Sequence, residues 1–568
     1  MLIVSTEDDP RKAEPAGDVF LASWASPEFA ASVAGSRRQC RTLNSVIGSF
    51  PALTRDVHTQ VQKTLDQLPI KYRGVRPLEA TTLIDDAYLP ALAAAHLLKA
   101  APDESDGGTA LELMSASDFG IALETVSRAL GGPPILLRRP DLHRLRHHSR
   151  SHLQRLWALA REARLNYDPA QLFWAPLEYA DRDFSLRQRI WRRARASFGG
   201  TYCYSSYVNY SHNLSLHAAH MSTPPNWVVN KRSARPQSRR FSYLWQFKGT
   251  SSRPLEHRDA CDALRSSLLD LPNDAGDLPM REIARTNSIF LWLTGSVFPA
   301  LLTEIDLMEA FLEQTRPSEL WVANQWGSEG LLLPLARNAG TPTVQVQHGT
   351  LESYYAFAPI VSDRFLVWGD LWRTAVNPAE RSKVEVMNPG LEVASAAGRR
   401  PKGGHNVTFF TAPVDLLPFW NPLIVLWEGV TLVGRLLEMG ADVTVRIHPM
   451  DRIDTWRSAW RKQVGALPSR LRFEKGGPLE PLLEWTDVAI VFHSTVFLNC
   501  AASGIPVVAL SWYPSMWREE LEEAQLVHFA DSIQDAAEMA LSLNRSSRPA
   551  PNVQQALAPE YPSEDKSP

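Results

Sequence analysis

From about residue 283 onward, segments of helical length alternate with short apolar runs, and this alternation narrows the folds open to the chain more than any other feature. Residues 302–314 have helical spacing, 319–324 read as a strand, 328–338 as a helix, 342–347 as the next strand, and 364–368, closed by Gly369, as another. Strands joined through helices lie parallel, because the connection must cross back over the sheet before the next strand begins. After a linker around residues 388–390 and an Ala-, Gly-, Arg- and Lys-rich piece at 394–404, the pattern restarts. Its members are strand 406–411, helix 423–439, strand 442–447, a short strand 471–473, a short helix 479–484, strand 487–492, helix 496–503 ended by Gly504, and strand 506–510.

The predicted class is therefore α/β: two Rossmann-like domains facing a cleft, with a helical, irregular N-terminal elaboration. The expected divisions are residues 1–280 as an N-terminal region on the acceptor side, with insertions; 281–393 as the remainder of the first Rossmann-like domain; 405–543 as a nucleotide-donor-binding domain; and 544–568 as a Ser-, Pro- and Glu-rich disordered tail.

Residues 1–110 are rich in Ala and Leu and carry few strand signals. Residues 88–101 have helical spacing, 102–108 form a loop, 111–130 are expected to be a helix stopped by Gly131-Gly132-Pro133-Pro134, and Ile135-Leu136-Leu137 a buried strand. Residues 138–164 are basic, with His143, His147, His148 and His152 interspersed. Their separations do not resolve into a pair plus a third ligand, so a solvated basic helix is favoured over a metal site. In 186–198, Leu186, Ile190, Ala194 and Phe198 fall four apart among arginines. A surface helix packed on its own domain is the favoured reading, and peripheral contact with an anionic membrane the second. The aromatic stretch 202–210 and the polar run 222–240 read as a long loop or insertion that would shape an acceptor site.

At 568 residues the chain exceeds one core, so two or three domains are expected. A formal net charge of -3 gives no global case for nucleic acid binding. Cys40, Cys203, Cys261 and Cys500 lack the short spacings of metal or redox motifs, which suits a reducing compartment. Met1-Leu2-Ile3-Val4 runs at once into Glu7-Asp8-Asp9-Pro10 rather than into the apolar core of a secretory signal. The most apolar window, 289–302, is interrupted by Thr294, Gly295, Ser296 and Pro299 and falls short of the roughly 20 residues that span a bilayer. The expected location is cytoplasmic, with the inner membrane face as the place for any lipid contact.

Three predicted strand ends carry polar groups: Gln347-His348-Gly349, Arg446 through His448-Pro449, and His493-Ser494-Thr495. Ligands of open α/β sheets sit beyond the carboxyl ends of the strands, so all three are expected to line the cleft. Gly349 permits a sharp turn after His348. Pro449 biases His448 toward extended backbone at the strand terminus, where a donor can hold a phosphate oxygen. Ser494 and Thr495 lie between strand and helix, where hydroxyls and free N–H groups make an anion site; plain N-capping of the helix is the alternative for the same two residues. No glycine-rich phosphate loop is found, and Asp181-Arg182-Asp183, though spaced like a metal-binding pair, does not follow a convincing strand. Taken together, the set favours a nucleotide-dependent transferase.

Between about residues 319 and 510 the chain resembles bacterial GT-B-type glycosyltransferases of surface-polysaccharide assembly. The residues that carry the resemblance are Val346-Gln347-His348-Gly349, Pro359 with Asp363, Val367-Trp368-Gly369, Arg446-Ile447-His448-Pro449, Ser494-Thr495 and Ala501-Ala502-Ser503-Gly504-Ile505-Pro506-Val507-Val508. It is similar to capsular Kdo transferases and bacterial sialyltransferases, and also to the CDP-glycerol glycerophosphotransferases of teichoic acid synthesis. The resemblance implies an enzyme that moves a sugar, Kdo- or sialic-acid-like in the first instance, from a nucleotide-sugar donor, CMP-linked in that case, to a surface glycan or lipid-linked acceptor, with no separate cofactor and no metal. It further implies that His448, Ser494 and Thr495 bind the donor phosphate. His348 would face the reacting centre as general base or transition-state stabiliser. Thr411 and Asp415 would lie near the base or ribose, with Gln347, Gly349, Arg446 and His493 lining the donor side. Glycerophosphate transfer, or a non-catalytic carbohydrate-binding or assembly protein on the same fold, are the alternatives.

Overall fold

The computed structural model describes residues 2–4, 19–21, 23–34, 40–47, 50–68, 70–80, 111–113, 126–127, 135–137, 198–206, 208–230, 241–247, 254–271, 298–349, 357–387, 405–412, 421–449, 451–492, 494–513, 515–543 and 553. They form three wholly parallel sheets in two compact units. One unit comprises Met1–Leu53, Pro90–Pro140 and Leu391–Pro559; the other comprises Thr54–Leu89, Asp141–Gly390 and Glu560–Pro568.

The first sheet consists of β1 (Leu2–Val4), β2 (Val19–Leu21), β3 (Cys40–Thr42), β4 (Leu111–Leu113) and β5 (Ile135–Leu137), in the order β3-β2-β1-β4-β5. The N-terminal region, expected to be poor in strands, thus contributes a sheet of its own, and residues 111–113 are strand where a helix was expected. Each of these strands is three residues long. Alternation over so short a run is too brief to separate from helical spacing.

The second sheet lies in the other unit: β6 (Thr201–Ser205), β7 (Asn226–Val229), β8 (Phe241–Tyr243), β9 (Glu319–Val322), β10 (Thr343–Val346), β11 (Arg364–Val367) and β12 (Val384–Val386), ordered β12-β11-β10-β9-β6-β7-β8. The stretch 202–210, expected to be irregular, is instead the end of strand β6 followed by the start of the helix Val208–Ala218. Tyr202 and Tyr204 are buried in the middle of the sheet, which their ring area favours once the hydroxyl is met; Tyr204 reaches the buried Glu304 carboxylate at 3.4 Å. The helix Val208–Ala218 packs Tyr210 and Leu214 against Cys203, Trp227, Trp321, Val344, Val346 and Leu366.

The third sheet consists of β13 (Asn406–Phe410), β14 (Asp442–Ile447), β15 (Leu471–Lys475), β16 (Val488–Val491), β17 (Val507–Leu510) and β18 (His528–Ala530), ordered β15-β14-β13-β16-β17-β18. Numbered from its own first strand this is 3-2-1-4-5-6, the doubly wound order of dinucleotide-binding domains, and the second sheet follows the same order with one strand added. The two Rossmann-like domains expected from the alternation are therefore present. The chain changes direction across the sheet between β6 and β9, and again between β13 and β16.

The helix Pro422–Glu438 covers the third sheet. Asn421 caps it, its side chain accepting from Leu423 N at 2.9 Å, and Pro422 occupies the first turn, where a missing N–H costs nothing. Its Ile424 joins Val19, Leu21, Ala25, Phe29 and Val33 of the N-terminal region in one apolar cluster, which ties the chain's first and last thirds into one unit. Midway, Gly429 lies under the rings of Trp456 and Phe409; a β-carbon there would come within 2.6 Å of Trp456 and 3.1 Å of Phe409. Alanine would gain about 1 kcal/mol of helix propensity. Forcing two buried rings aside costs about 1–3 kcal/mol. Gly429→Ala is therefore expected to lower stability in urea melts, and a variant more stable than wild type would contradict this packing.

Candidate functional site

In the second sheet β6, β7 and β10 are each followed directly by a polar residue, Ser206, Asn230 and Gln347. β10 runs out into Gln347-His348-Gly349, and Gly349 takes a left-handed φ of +73°, the turn its lack of a side chain allows. Gln347 is buried, and both ends of its amide are engaged with backbone: Oε1 accepts from Trp368 N and Nε2 donates to Gly349 O, each at 2.8 Å. It acts as a brace between the ends of β10 and β11 that sets the course of the turn.

His348 is partly buried. Its Nδ1 lies 2.9 Å from Asn213 Nδ2, and its ring meets Tyr210 edge-on at 4.7 Å between centroids. Tyr210 is itself held by the amide of Asn324 at the end of β9, which donates to its hydroxyl at 2.9 Å. Tyr210 and Asn213 sit three apart on the helix Val208–Ala218, so one helical turn presents both to the imidazole. Burial pushes the His348 pKa down to about 4, which leaves the ring neutral at physiological pH.

Where the chain switches direction between β6 and β9, two buried carboxylates are committed to the scaffold. Glu329 accepts from Ser206 N and Ser206 Oγ, each at 2.8 Å; Glu304 accepts from Asn230 at 2.7 Å and Ser328 at 2.6 Å. They pin the ends of β6 and β7 to the helices Phe298–Thr315 and Gly327–Asn338.

In the third sheet, β14, β13 and β16 are neighbours, and their carboxyl ends deliver His448, Thr411 and Ser494-Thr495 along one edge. Thr411 Oγ1 accepts from the backbone N–H of His448 at 2.8 Å, and Thr411 N donates to Arg446 O at 3.0 Å, so the ends of β13 and β14 are locked together. Burial, and then the charge of Lys475, lower the His448 pKa to about 4. The imidazole is neutral at pH 7, and the positive charge at this corner belongs to Lys475, whose ammonium donates to Asp451 O. Arg446 is the penultimate residue of β14. Its guanidinium donates to Gly477 O at 2.8 Å and lies 4.0 Å from Glu474, which fastens the turn after β15.

Ser494 and Thr495 precede the helix Val496–Ala502. Thr495 occupies the cap position with helical backbone angles and makes no side-chain cap bond, while Ser494 Oγ accepts from Val496 N at 3.4 Å. Capping engages one of these hydroxyls weakly. Asp415 and His493 lie outside the described residues, as do Asp181–Asp183, the His-rich segment from 138 to 164, and all of the basic segment 186–198 except Phe198.

The structure thus brings Thr411, His448, Ser494 and Thr495 together on one sheet edge, and Gln347, His348 and Gly349 on another sheet, in the other unit. Sequence reasoning missed Asn213, Tyr210, Asn324 and Lys475. Asn324-Gln325 follows β9 in the pattern by which Gln347-His348 follows β10, and Lys475 ends β15; both were findable as polar residues at strand ends. Tyr210 was hidden because 202–210 was read as irregular, and Asn213 because residues 211–221 were assigned no element. Among the described residues no group of three or more His, Cys, Asp and Glu could hold a metal ion, and no helix is long and apolar enough to cross a membrane.

No protein-family model matches the chain, and no curated protein matches it. Solved structures with distant similarity include the Staphylococcus aureus MnaA–UDP co-structure, at 10% identity and a TM-score of 0.39, covering 63% of this chain and 91% of that one. Acinetobacter baumannii MurG matches at 8% identity and a TM-score of 0.39, covering 64% and 96%. Thermobaculum terrenum O-GlcNAc transferase matches at 14% identity and a TM-score of 0.33, covering 86% and 90%. Similarity at this level carries no information on substrate, and the fold assignment stands on the strand orders of the chain's own sheets.

Proposed function

We propose that this protein is a nucleotide-sugar-dependent glycosyltransferase of the GT-B type, acting on a surface glycan or lipid-linked acceptor, with a CMP-linked Kdo- or sialic-acid-like sugar as the first donor to test. The observation that carries the reading is the edge of the third sheet. A doubly wound domain ends three adjacent strands in Thr411, His448 and Ser494-Thr495, with Lys475 beside them, next to the point where strand order reverses. That is where such sheets bind ligands. A neutral imidazole, three hydroxyls and an ammonium suit an anionic phosphate better than an apolar or cationic ligand. His348, at the end of β10 in the other doubly wound sheet, is the candidate catalytic group.

A thermal-shift panel of CMP, CDP, UDP, GDP and their sugar-linked forms, run on wild type and His448→Ala, tests this. A ligand at 100 times its Kd stabilises the fold by about 2.7 kcal/mol, and losing one hydrogen bond to a charged phosphate costs about 1.5–3 kcal/mol of binding. The expected result is a shift with cytidine nucleotides that is largely lost in the variant. A uridine or guanosine response would keep the transferase and discard the CMP donor. A response to CDP-glycerol alone would turn the reading to glycerophosphate transfer. Silence across the panel would favour a non-catalytic binding protein.

A further inference from the structure

We propose that Asn213 fixes the tautomer of His348, so that His348 meets its substrate as an N–H donor from Nε2 and not as a base. An amide nitrogen can only donate, and Asn213 Nδ2 stands 2.9 Å from His348 Nδ1. Nδ1 must then accept, which requires its lone pair to be free and places the ring's single proton on Nε2. The orientation of the ring is set independently. Tyr210 packs edge-on against it at 4.7 Å, and the Tyr210 hydroxyl is held by Asn324. One face of the helix Val208–Ala218 therefore holds both the plane of the imidazole and its protonation pattern. Burial adds to this by keeping the ring neutral at physiological pH.

The chemical consequence is specific. With Nδ1 occupied and Nε2 protonated, neither nitrogen has a lone pair to take the acceptor's proton. In this role no proton moves to or from His348. It offers a preorganised N–H to an oxygen that gains negative charge in the reaction, a form of stabilisation that needs no reorganisation when charge develops. Asn213 is a positioning residue, and the proton of an attacking hydroxyl must leave through another group. That the oxygen belongs to a glycosyl donor or acceptor rests on the proposed transferase activity; the tautomer does not.

The test is a long-range 1H–15N correlation spectrum of the full chain labelled with 15N-histidine, with His348 assigned by the signal lost in His348→Gln and by the signal that moves in Asn213→Asp. The expected wild-type pattern is a protonated, pyrrole-type Nε2 and an unprotonated, pyridine-type Nδ1. Asn213→Asp replaces the donor with a group that only accepts at neutral pH and should invert the pattern, moving the proton to Nδ1. Asn213→Ala should leave a mixture of tautomers. A wild-type spectrum with Nδ1 protonated, the pattern expected if the Asn213 amide oxygen faced the ring, overturns the proposal, as does a His348 spectrum unchanged by both substitutions. Because the spectrum is read without nucleotide, a failed nucleotide panel would leave this result standing, and a reversed tautomer would leave nucleotide binding standing.

Discussion

The wild-type protein is expected to lose stability as pH rises from about 5 to about 7.5, and Glu428→Gln is expected to remove most of that fall. Glu428 is buried in the helix Pro422–Glu438 and accepts from Ser26 N, Trp512 Nε1 and the Tyr513 hydroxyl. Burial raises its pKa from an ordinary 4.5 to about 7, against the opposing pull of the hydrogen bonds from Tyr513, Ser26 and Trp512. Between those two values the folded state keeps a proton that the unfolded state has lost. The resulting stabilisation is complete below the unfolded pKa and is lost as pH rises through the folded one. At 1.36 kcal/mol per unit the displacement is worth about 3 kcal/mol. Glutamine is neutral throughout, so the variant's curve from urea melts should lack the fall between about pH 5 and about pH 7.5, offset at every pH by the hydrogen bond lost because an amide nitrogen cannot accept from Ser26 N or from Trp512 Nε1. Parallel curves would show that Glu428 is ionised in the fold at all these pH values. The site also joins the N-terminal segment to the third sheet, through Ser26 to Glu428 and through Asn421 N to Ser23 Oγ, so the same proton acts on how firmly the first strands are held.

The second large effect falls on activity. If the proposed sugar transfer is this protein's reaction, His348→Ala is expected to lower its kcat by about 10²–10³, the loss typical of one preorganised donor to a developing oxyanion. Folding should be nearly unaffected, since the ring is only partly buried and the scaffold around it is braced by Gln347 and Asn324. His348→Gln, which can still offer an N–H, should lose less than His348→Ala. A general base would show no such rescue, because an amide cannot take a proton. With its pKa near 4, His348 should add no titration to the rate profile between pH 5 and 8. A loss below about tenfold in His348→Ala would remove the residue from the chemistry, by the usual scale for positioned acid–base or donor groups.

The later half of the chain was legible because of how parallel strands are buried. β16 and β17 are buried throughout and read as continuous apolar runs, Val-Ala-Ile-Val and Val-Val-Ala-Leu, while β10, β13 and β14 interleave their Val, Ile and Phe with Thr343, Gln345, Thr408 and Thr444, which are buried too. The strand ends were legible where a polar residue directly follows the last buried apolar one, as Gln347 follows Val346 and His448 follows Ile447. β6 was not, because Thr201–Ser205 reaches the same burial with tyrosines whose hydroxyls find partners far away in sequence, Glu304 among them. A strand whose polar atoms are met only by a distant helix looks irregular when read alone.

The α/β class, the places where strands end, and the histidines, serine and threonines found there follow from local periodicity and from residues adjacent along the chain. Tertiary structure decided what those residues are able to do. The tautomer open to His348 depends on Asn213, 135 residues away, and the neutrality of His448 on burial and on Lys475 from a neighbouring strand. The proton on Glu428 is held by burial, against the opposing hydrogen bonds from Tyr513 and Ser26, which come from opposite ends of the chain. Local sequence sets which groups are present. Burial and long-range hydrogen bonds set their charge and direction, because the free energy of holding or losing a proton is fixed by the surroundings that folding assembles.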